Sequence, residues 1–295
     1  VFGRGPRLLA GAVIVTCMML LGPSAPGGVP FARPLSADAV RDVVPNRVMT
    51  WNICNPCGTS DADRAAEIAA YAPQVIGLQE ACARDVARIR NHLKNLYGLV
   101  YHVEYGTVLQ NWGRCGGLPW NPGGYGQAIL SAAPMKDRVN VEYRDGGSED
   151  RGYMAVTTTV DGQEVRVFNT HLAQRRQETF RTDQVAALAE EVARHDRAIV
   201  LGDFNAVPDA PELTPMWALA GDTDPECRPS PTGTCLPTTD WQSKFDYVFL
   251  RGISPLEHHV QPTPYSDHHP LHTDLDLARA PERQQEAAAE STHDR

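Results

Sequence analysis

The sequence predicts an α/β fold in which two mixed β-sheets pack together with helices outside. Three observations carry this. Strand-like segments outnumber helical ones. Their order changes along the chain, from strand–helix–strand–helix at the start to a meander of strands in the middle. Hydrophobic residues make up 42% of the 295 and charged residues 21%, enough apolar material for a large core. There is no glycine triplet period, no sustained heptad and only one long apolar run, which excludes a collagen, a coiled coil and a multi-span membrane protein.

Residues 47–53 alternate Val48, Thr50 and Asn52 against Met49, Trp51 and Ile53 and read as a strand. Ser60 or Asp61 can cap a helix running to Tyr71, with Ala65 and Ile68 inward. Residues 74–79 form a second strand, apolar on both faces through Val75-Ile76-Gly77-Leu78 and so expected in the interior. Val86, Ile89 and Leu93 recur at helical spacing, and 99–104 reads as the next strand. Residues 106–124 read as a long loop carrying Trp112, Cys115, Trp120 and Pro122; loops of that length are often functional. Segments 127–131, 138–143, 152–160 and 165–170 are strand-like, the last two joined by the hairpin signal Asp161-Gly162. Residues 176–195 give the strongest helix, with Phe180, Val185, Leu188, Ala189 and Val192. A short buried strand at 198–201, a turn-rich stretch at 221–239, and strands at 245–250 and 271–277 complete the order.

The two ends read differently from the middle. Arg4 and Arg7 precede fifteen uncharged residues, Leu8 to Gly22, followed by Pro23, Pro26 and Ala37-Asp38-Ala39. A basic start, a short apolar run and an A-x-A site describe a secretory signal peptide; the run is short of the roughly 20 residues that span a bilayer. From Ala280 onward the chain has no large apolar residue to bury and reads as a disordered tail. The expected organisation is a leader over 1–39, one catalytic domain over 40–279 and a tail over 280–295, in a secreted, monomeric protein. Six cysteines follow the leader, and an even count in an exported chain reads as bridges. Cys227 and Cys235 flank a Pro/Ser/Thr/Gly loop and are the first expected pair. Cys54-x-x-Cys57 has no second such motif after it, so a structural bridge is the stronger reading.

The formal net charge of −9 argues against a binder held by bulk positive charge. Arginine outnumbers lysine 24 to 3, so a local basic cleft would present guanidinium forks, suited to phosphate or carboxylate.

Polar residues stand where strands end: Asn52, Glu80, His171, Asp203 and Asn205, Asp246, and Asp267-His268. Each alone has a bland reading, as a turn former, a helix-start charge or a satisfied core histidine. Together they offer hard oxygen donors suited to Mg²⁺ and histidines beside carboxylates suited to proton transfer. No Walker loop, G-x-G-x-x-G after a strand, H-E-x-x-H or G-x-S-x-G occurs. The inventory points to metal-assisted hydrolysis of a phosphoester.

Seven stretches, in order, resemble the endonuclease/exonuclease/phosphatase superfamily. They are Thr50-Trp51-Asn52-Ile53, Ile76-Gly77-Leu78-Gln79-Glu80, Gly126-Gln127-Ala128-Ile129-Leu130-Ser131, Asn169-Thr170-His171-Leu172, Gly202-Asp203-Phe204-Asn205, Asp246-Tyr247-Val248-Phe249 and Ser266-Asp267-His268-His269-Pro270. The resemblance covers about 47–277 and implies a deoxyribonuclease I-like, four-layer α/β/β/α sandwich with the site at one edge of the sheets. It implies Glu80 as the main ligand of a divalent metal (Mg²⁺, with Mn²⁺ or Ca²⁺ as alternatives), Asn52 orienting metal or phosphate, and Asp267 near the metal. It implies a His268–Asp246 dyad, Asp203 on the attacking water, and Asn205 and His171 on the phosphoryl oxygens. Some deoxyribonuclease-like members pair the His171 equivalent with a glutamate from the preceding segment. Here Glu104 lies upstream of the long loop and Gln127 in the strand itself, which leaves that place unassigned.

The same site serves nucleases, sphingomyelinases and inositol-phosphate phosphatases in this superfamily. Export, and Arg175, Arg176 and Arg181 just after His171, favour a nuclease with a nucleic-acid partner; a solvated helix face is the alternative for those arginines. Trp112 and Trp120 would suit a phospholipid surface, but a disulfide-held loop with both tryptophans buried is the stronger reading. Arg84, Arg88, Arg90 and Lys94 read as a solvated helix face, and Asp222-x-Asp224-x-Glu226 as turn chemistry rather than a Ca²⁺ site. A catalytically silent binding module is the competing class, disfavoured by the complete set Glu80, His171, Asp203, Asn205, Asp246 and His268.

Overall fold

A computed structural model describes residues 42–230 and 234–278, all within one unit, Arg33–Arg295. The expected leader and tail lie outside the described residues. In chain order the elements are β1 (Val44–Asn52), α1 (Asp61–Tyr71), β2 (Pro73–Cys82), α2 (Ala83–Tyr97), β3 (His102–Gln110), the single turn α3 (Trp112–Cys115), β4 (Gly117–Leu118), β5 (Asn121–Pro122), β6 (Gly124–Ser131) and β7 (Lys136–Glu142). There follow β8 (Gly152–Val160), β9 (Gln163–His171), α4 (Glu178–Val192), β10 (Ala198–Asp203), α5 (Thr214–Leu219), β11 (Gly221–Asp222), β12 (Asp246–Arg251), β13 (Ser254–Val260) and β14 (Leu271–Asp276).

Two six-stranded sheets result, ordered β13-β14-β1-β2-β6-β3 and β11-β12-β10-β9-β8-β7. Each is mixed: β1–β2 and β9–β10 are parallel, and the remaining pairs antiparallel. The period of two along a strand sorts side chains into layers. Val48, Val75 and Ile129 of the first sheet meet Met154, Val167, Ile199, Leu201 and Val248 of the second. On the outer face of the first sheet, Met49, Trp51, Ile76 and Leu78 pack under Ala65 and Ile68 of α1 and Val86, Ile89 and Leu93 of α2. Phe168, Val200, Tyr247 and Phe249 of the second sheet pack under Val185, Leu188 and Val192 of α4 and Met216 of α5. The order is helix, sheet, sheet, helix, as expected.

A polar tie joins the sheets near one edge. Gln79 Nε2 donates to Thr50 Oγ1 (2.9 Å) and to Asn169 Oδ1 (2.7 Å), while Asn169 Nδ2 donates to the carbonyls of Leu78 (3.0 Å) and Ala128 (2.9 Å). Gly77 makes room for it, since a Cβ there would lie 3.0 Å from Asn169 Oδ1 and from Leu201. A buried network of this kind fixes register where apolar packing alone would allow sliding.

Several expectations shift. The strand expected at 99–104 is β3 at His102–Gln110: Gly98 and Leu99 close α2 by donating to the Leu93 and Lys94 carbonyls, and Leu99 and Tyr101 are buried beside the helix. Pairing with β6 then carries β3 through Gly106 to Gln110, so the loop begins later than read and holds one helical turn and a two-residue hairpin. The edge strand β13 and helix α5 were not expected. Ser60 caps α1, accepting from Asp63 N. Cys54–Cys57, Cys82–Cys115 and Cys227–Cys235 are disulfide-bonded.

Candidate active site

At one edge of the sheets the strands terminate in polar residues. β1 ends at Asn52, β9 at His171 and β10 at Asp203, and β12 begins at Asp246. Register places Asp203 between His171 on its parallel neighbour and Asp246 on its antiparallel one. His268, ahead of β14, is tied in by a bridge to Thr239. Glu80 sits where β2 breaks register with β6, between Leu78 and Ala81, at φ 51°. A bulge with a left-handed residue re-aims a side chain, and here Glu80 lines the cleft. Asn205, at φ 50°, is also left-handed. A non-glycine residue in that conformation costs about 1–2 kcal/mol and is held by its surroundings. Asn205 N donates to Asp203 Oδ1 (2.8 Å) and its Nδ2 to Leu172 O (3.1 Å).

Asn52 bridges the sheets. Its Nδ2 donates to Glu80 Oε1 (3.3 Å) and Asp203 Oδ2 (3.0 Å), and its Oδ1 accepts from Cys54 N (3.0 Å). The amide oxygen is thereby engaged by the backbone while the amide nitrogen acts as a strut between two carboxylates. His268 Nδ1 lies 2.8 Å from Asp246 Oδ2, and its backbone is fixed by Ser266 Oγ and by Trp51 Nε1, which donates to His268 O (3.0 Å). Asp203 Oδ2 faces His171 Nε2 at 3.4 Å and His268 Nε2 at 3.7 Å.

The two histidines are driven apart electrostatically. Burial works against a charged His268, but Asp246 and then Asp203 outweigh it and raise its pKa, so it keeps its proton at neutral pH. Burial, reinforced by Arg151 and His268, holds His171 well below the usual imidazole range. Burial also raises Asp203, opposed by His268.

These groups open onto a cleft of about 760 Å³ lined by Glu80, His171, Asp203, Asn205, Asp267 and His268, with Arg151, Arg175, Arg176 and Trp241 on its walls. Arg175 and Arg176 are exposed. Arg181 is a correction: it is buried, its guanidinium donates to Glu212 Oε1 (2.7 and 2.9 Å) and to the carbonyls of Ala173 and Gln174, and it braces the segment after His171. The tryptophans are a second correction. The loop is disulfide-held, yet Trp112 is 58%, Leu118 49% and Trp120 80% exposed. Glu104 is paired with Arg138 (3.0 Å), and buried Gln127 has no hydrogen-bond partner for Nε2. His171 Nδ1 instead faces Arg151 Nη1 at 3.1 Å. Sequence reasoning missed Arg151, Glu149 and Trp241. Arg151 stands at the head of a strand with no motif around it, and Trp241, edge-on to His268 at 5.4 Å, lies between the turn-rich stretch and the next strand. The Asp222-x-Asp224-x-Glu226 segment is turn chemistry, each aspartate accepting from the backbone nitrogen two residues on.

The donor set fits a hard divalent cation. Glu80 presents a carboxylate to the open cleft with Asp267 lining the same space, and oxygen donors of this kind suit Mg²⁺. Among the described residues, Asp203, Asp246 and His268 also place ligand atoms within 4.8 Å of one another, but Asp246 and His268 are bonded to each other. Cys54 and Cys57 lie near Asp267, and their disulfide leaves no thiolate to ligate.

Residues 49–268 match a family model described as the Endonuclease/Exonuclease/phosphatase family. The crystal structure of an endonuclease/exonuclease/phosphatase from Beutenbergia cavernae DSM 12333 is similar with a TM-score of 0.64 at 25% identity, over 80% of this chain and 72% of that one. D. rerio TDP2 complexed with single strand DNA product gives 0.62 at 18% identity, over 78% and 98%. The endonuclease/exonuclease/phosphatase from Bacteroides vulgatus gives 0.62 at 15% identity, over 78% and 98%; these last two share the fold. No curated protein matches the chain.

Proposed function

This chain belongs to the endonuclease/exonuclease/phosphatase family and is a metal-dependent phosphoric ester hydrolase, and from that premise we propose that it is a secreted phosphodiesterase whose substrate is nucleic acid. The observation that carries the reading is the convergence of Glu80 from one sheet and His171, Asp203 and Asn205 from the other on one cleft, with His268 lining it and Asp246 buried behind that ring. A magnesium ion held by Glu80 with Asp267 beside it would neutralise charge on the phosphoryl group when bound. Asp203 faces the space between the two histidines and receives a proton from the attacking water; its raised affinity for protons suits that role. His268, kept charged by Asp246, donates to a phosphoryl oxygen. Asn205 and His171 hold the remaining oxygens, and Arg175 and Arg176 lie where the adjoining phosphates of a polymer would run. Three disulfides suit an oxidising compartment, which together with the leader motif supports secretion.

One observation favours a second reading, a phospholipid diesterase. The exposed finger of Trp112, Leu118 and Trp120 is fastened by Cys115 to Cys82, two residues beyond Glu80, and so stands beside the cleft. Tryptophans of that kind suit a lipid–water interface. A panel of double-stranded DNA, single-stranded DNA, RNA, sphingomyelin vesicles and inositol phosphates, each with Mg²⁺, separates the two. Cleavage of a nucleic acid with inert vesicles is expected. Hydrolysis of sphingomyelin alone would transfer the assignment to the lipid enzyme.

A further inference from the structure

We propose that Arg151 is a positioning residue that fixes His171 in the tautomer with its proton on Nε2, so that His171 offers the cleft a hydrogen-bond donor and not a basic lone pair. The proposal rests on the phosphodiesterase reading for its consequence and on hydrogen-bond geometry for its substance.

Arg151 is buried, and its Nη1 lies 3.1 Å from His171 Nδ1 and 2.8 Å from Glu149 Oε2. A guanidinium has donors and no acceptor, and it stays charged in proteins. A ring N–H at Nδ1 would point at another N–H, so Nδ1 is the acceptor. A neutral imidazole has one proton, and it is therefore on Nε2. That nitrogen faces Asp203 Oδ2 at 3.4 Å, an acceptor for it. Asn205 Nδ2 is 3.1 Å from the same ring nitrogen and gives one of its two hydrogens to Leu172 O, so Nε2 meets an acceptor, Asp203, as well as this donor, whereas the partner of Nδ1 is a donor.

The arginine is itself held. The two hydrogens on Nη1 serve His171 and Glu149, and the other oxygen of Glu149 pairs with Arg114. Arg114 belongs to the turn whose Cys115 is bonded to Cys82. Two arginines thus share one carboxylate, leaving one net positive charge behind His171, which complements a phosphodiester anion. The glutamate expected opposite this histidine from the resemblance would accept from Nδ1–H and produce the opposite tautomer. Neither Glu104 nor Gln127 takes that place.

The test is long-range ¹H–¹⁵N correlation of the histidine rings in the Mg²⁺-loaded full chain near neutral pH, with His171→Gln to assign the signal, beside steady-state kinetics on bis(p-nitrophenyl) phosphate. The expected wild-type pattern is a protonated Nε2 and an unprotonated Nδ1. Arg151→Met is expected to shift population to the Nδ1–H form and lower kcat by at least about tenfold with little change in KM, and Arg151→Lys to restore the wild-type pattern and part of kcat. A wild-type ring protonated at Nδ1 overturns the proposal, as does a folded Arg151→Met protein with unchanged tautomer and kcat. Should Arg151→Met not fold, the wild-type spectrum decides. A wild type that shows the expected spectrum but no hydrolysis of any phosphodiester contradicts the functional reading and leaves the tautomer assignment standing.

Discussion

Asn52 donates from one amide nitrogen to carboxylates on opposite sheets, Glu80 and Asp203. Removing it takes a shared donor from Glu80 Oε1 and Asp203 Oδ2 and leaves Asp203 Oδ2 with the His171 and His268 rings, a loss that carboxylates relieve by turning away or by binding a proton. Asn52→Ala is expected to lower kcat by about 10–100-fold while the chain stays folded; a kcat within twofold of wild type would remove the strut from the account. His268→Ala takes away the group that Asp246 keeps charged and is expected to abolish measurable turnover with a native circular-dichroism spectrum. The residues at strand ends were legible because each motif pairs a hydrophobic strand with a polar terminus. The arginines were not. Whether a guanidinium after His171 meets solvent or a buried carboxylate depends on Glu212, 31 positions beyond Arg181, a contact that local pattern does not encode.

Strands and loops carry the site to its place. Gly202, one residue before Asp203, runs against Thr170 O, where a Cβ would sit at 2.4 Å. Gly202→Ala is therefore expected to destabilise the fold by about 1–3 kcal/mol through overpacking of backbone on backbone, read as a lower denaturation midpoint; an unchanged midpoint would mean that β9 and β10 separate freely. The finger depends on Cys82–Cys115, which closes 33 residues. Replacing both cysteines with alanine is expected to cost about 3–4 kcal/mol on chain-entropy grounds, seen in urea unfolding. The strands with alternating or fully apolar runs were legible from sequence. β13 was not, because it is an edge strand in which Pro255, Leu256 and Glu257 are exposed in succession, so no alternation of apolar and polar residues marks it. The start of β3 was misplaced because Leu99 and Tyr101 are apolar for the sake of α2, not of a ladder.

Across the whole molecule, burial pulls several histidines down together: His171, His258, and His272 to about 4 from 6.5. A histidine whose folded pKa is depressed contributes stability above its unfolded value of 6.5, and loses it as pH falls toward the folded value. His268 has the opposite sign: raised in the fold, it contributes fully below 6.5 and loses that contribution only as pH climbs through the folded value. The carboxylates of Glu67, Asp85, Asp203 and Asp222, raised by burial, act in the opposite sense, so the test is the difference between wild type and His272→Gln: from pH 6.5 to 4 the wild type is expected to lose melting temperature relative to the variant, and a constant difference would show that His272 titrates normally. The layer order and the edge that bears the site were readable from sequence because they follow from strand-and-helix periodicity and from seven ordered motifs. The surfaces around the cleft were not readable: the exposure of Trp112 and Trp120 and the burial of Arg181 depend on packing that local pattern does not encode. Hydrolysis of phosphodiesters at this edge, with a divalent cation at Glu80, can be followed as cleavage of single-stranded DNA by wild type and Glu80→Ala while Mg²⁺ is removed with EDTA and added back. Turnover is expected to vanish with EDTA, to return with Mg²⁺, and to be absent at every Mg²⁺ concentration in a folded Glu80→Ala protein. Cleavage that survives EDTA, or near-wild-type rates in the variant, would rule out a metal-dependent site at Glu80.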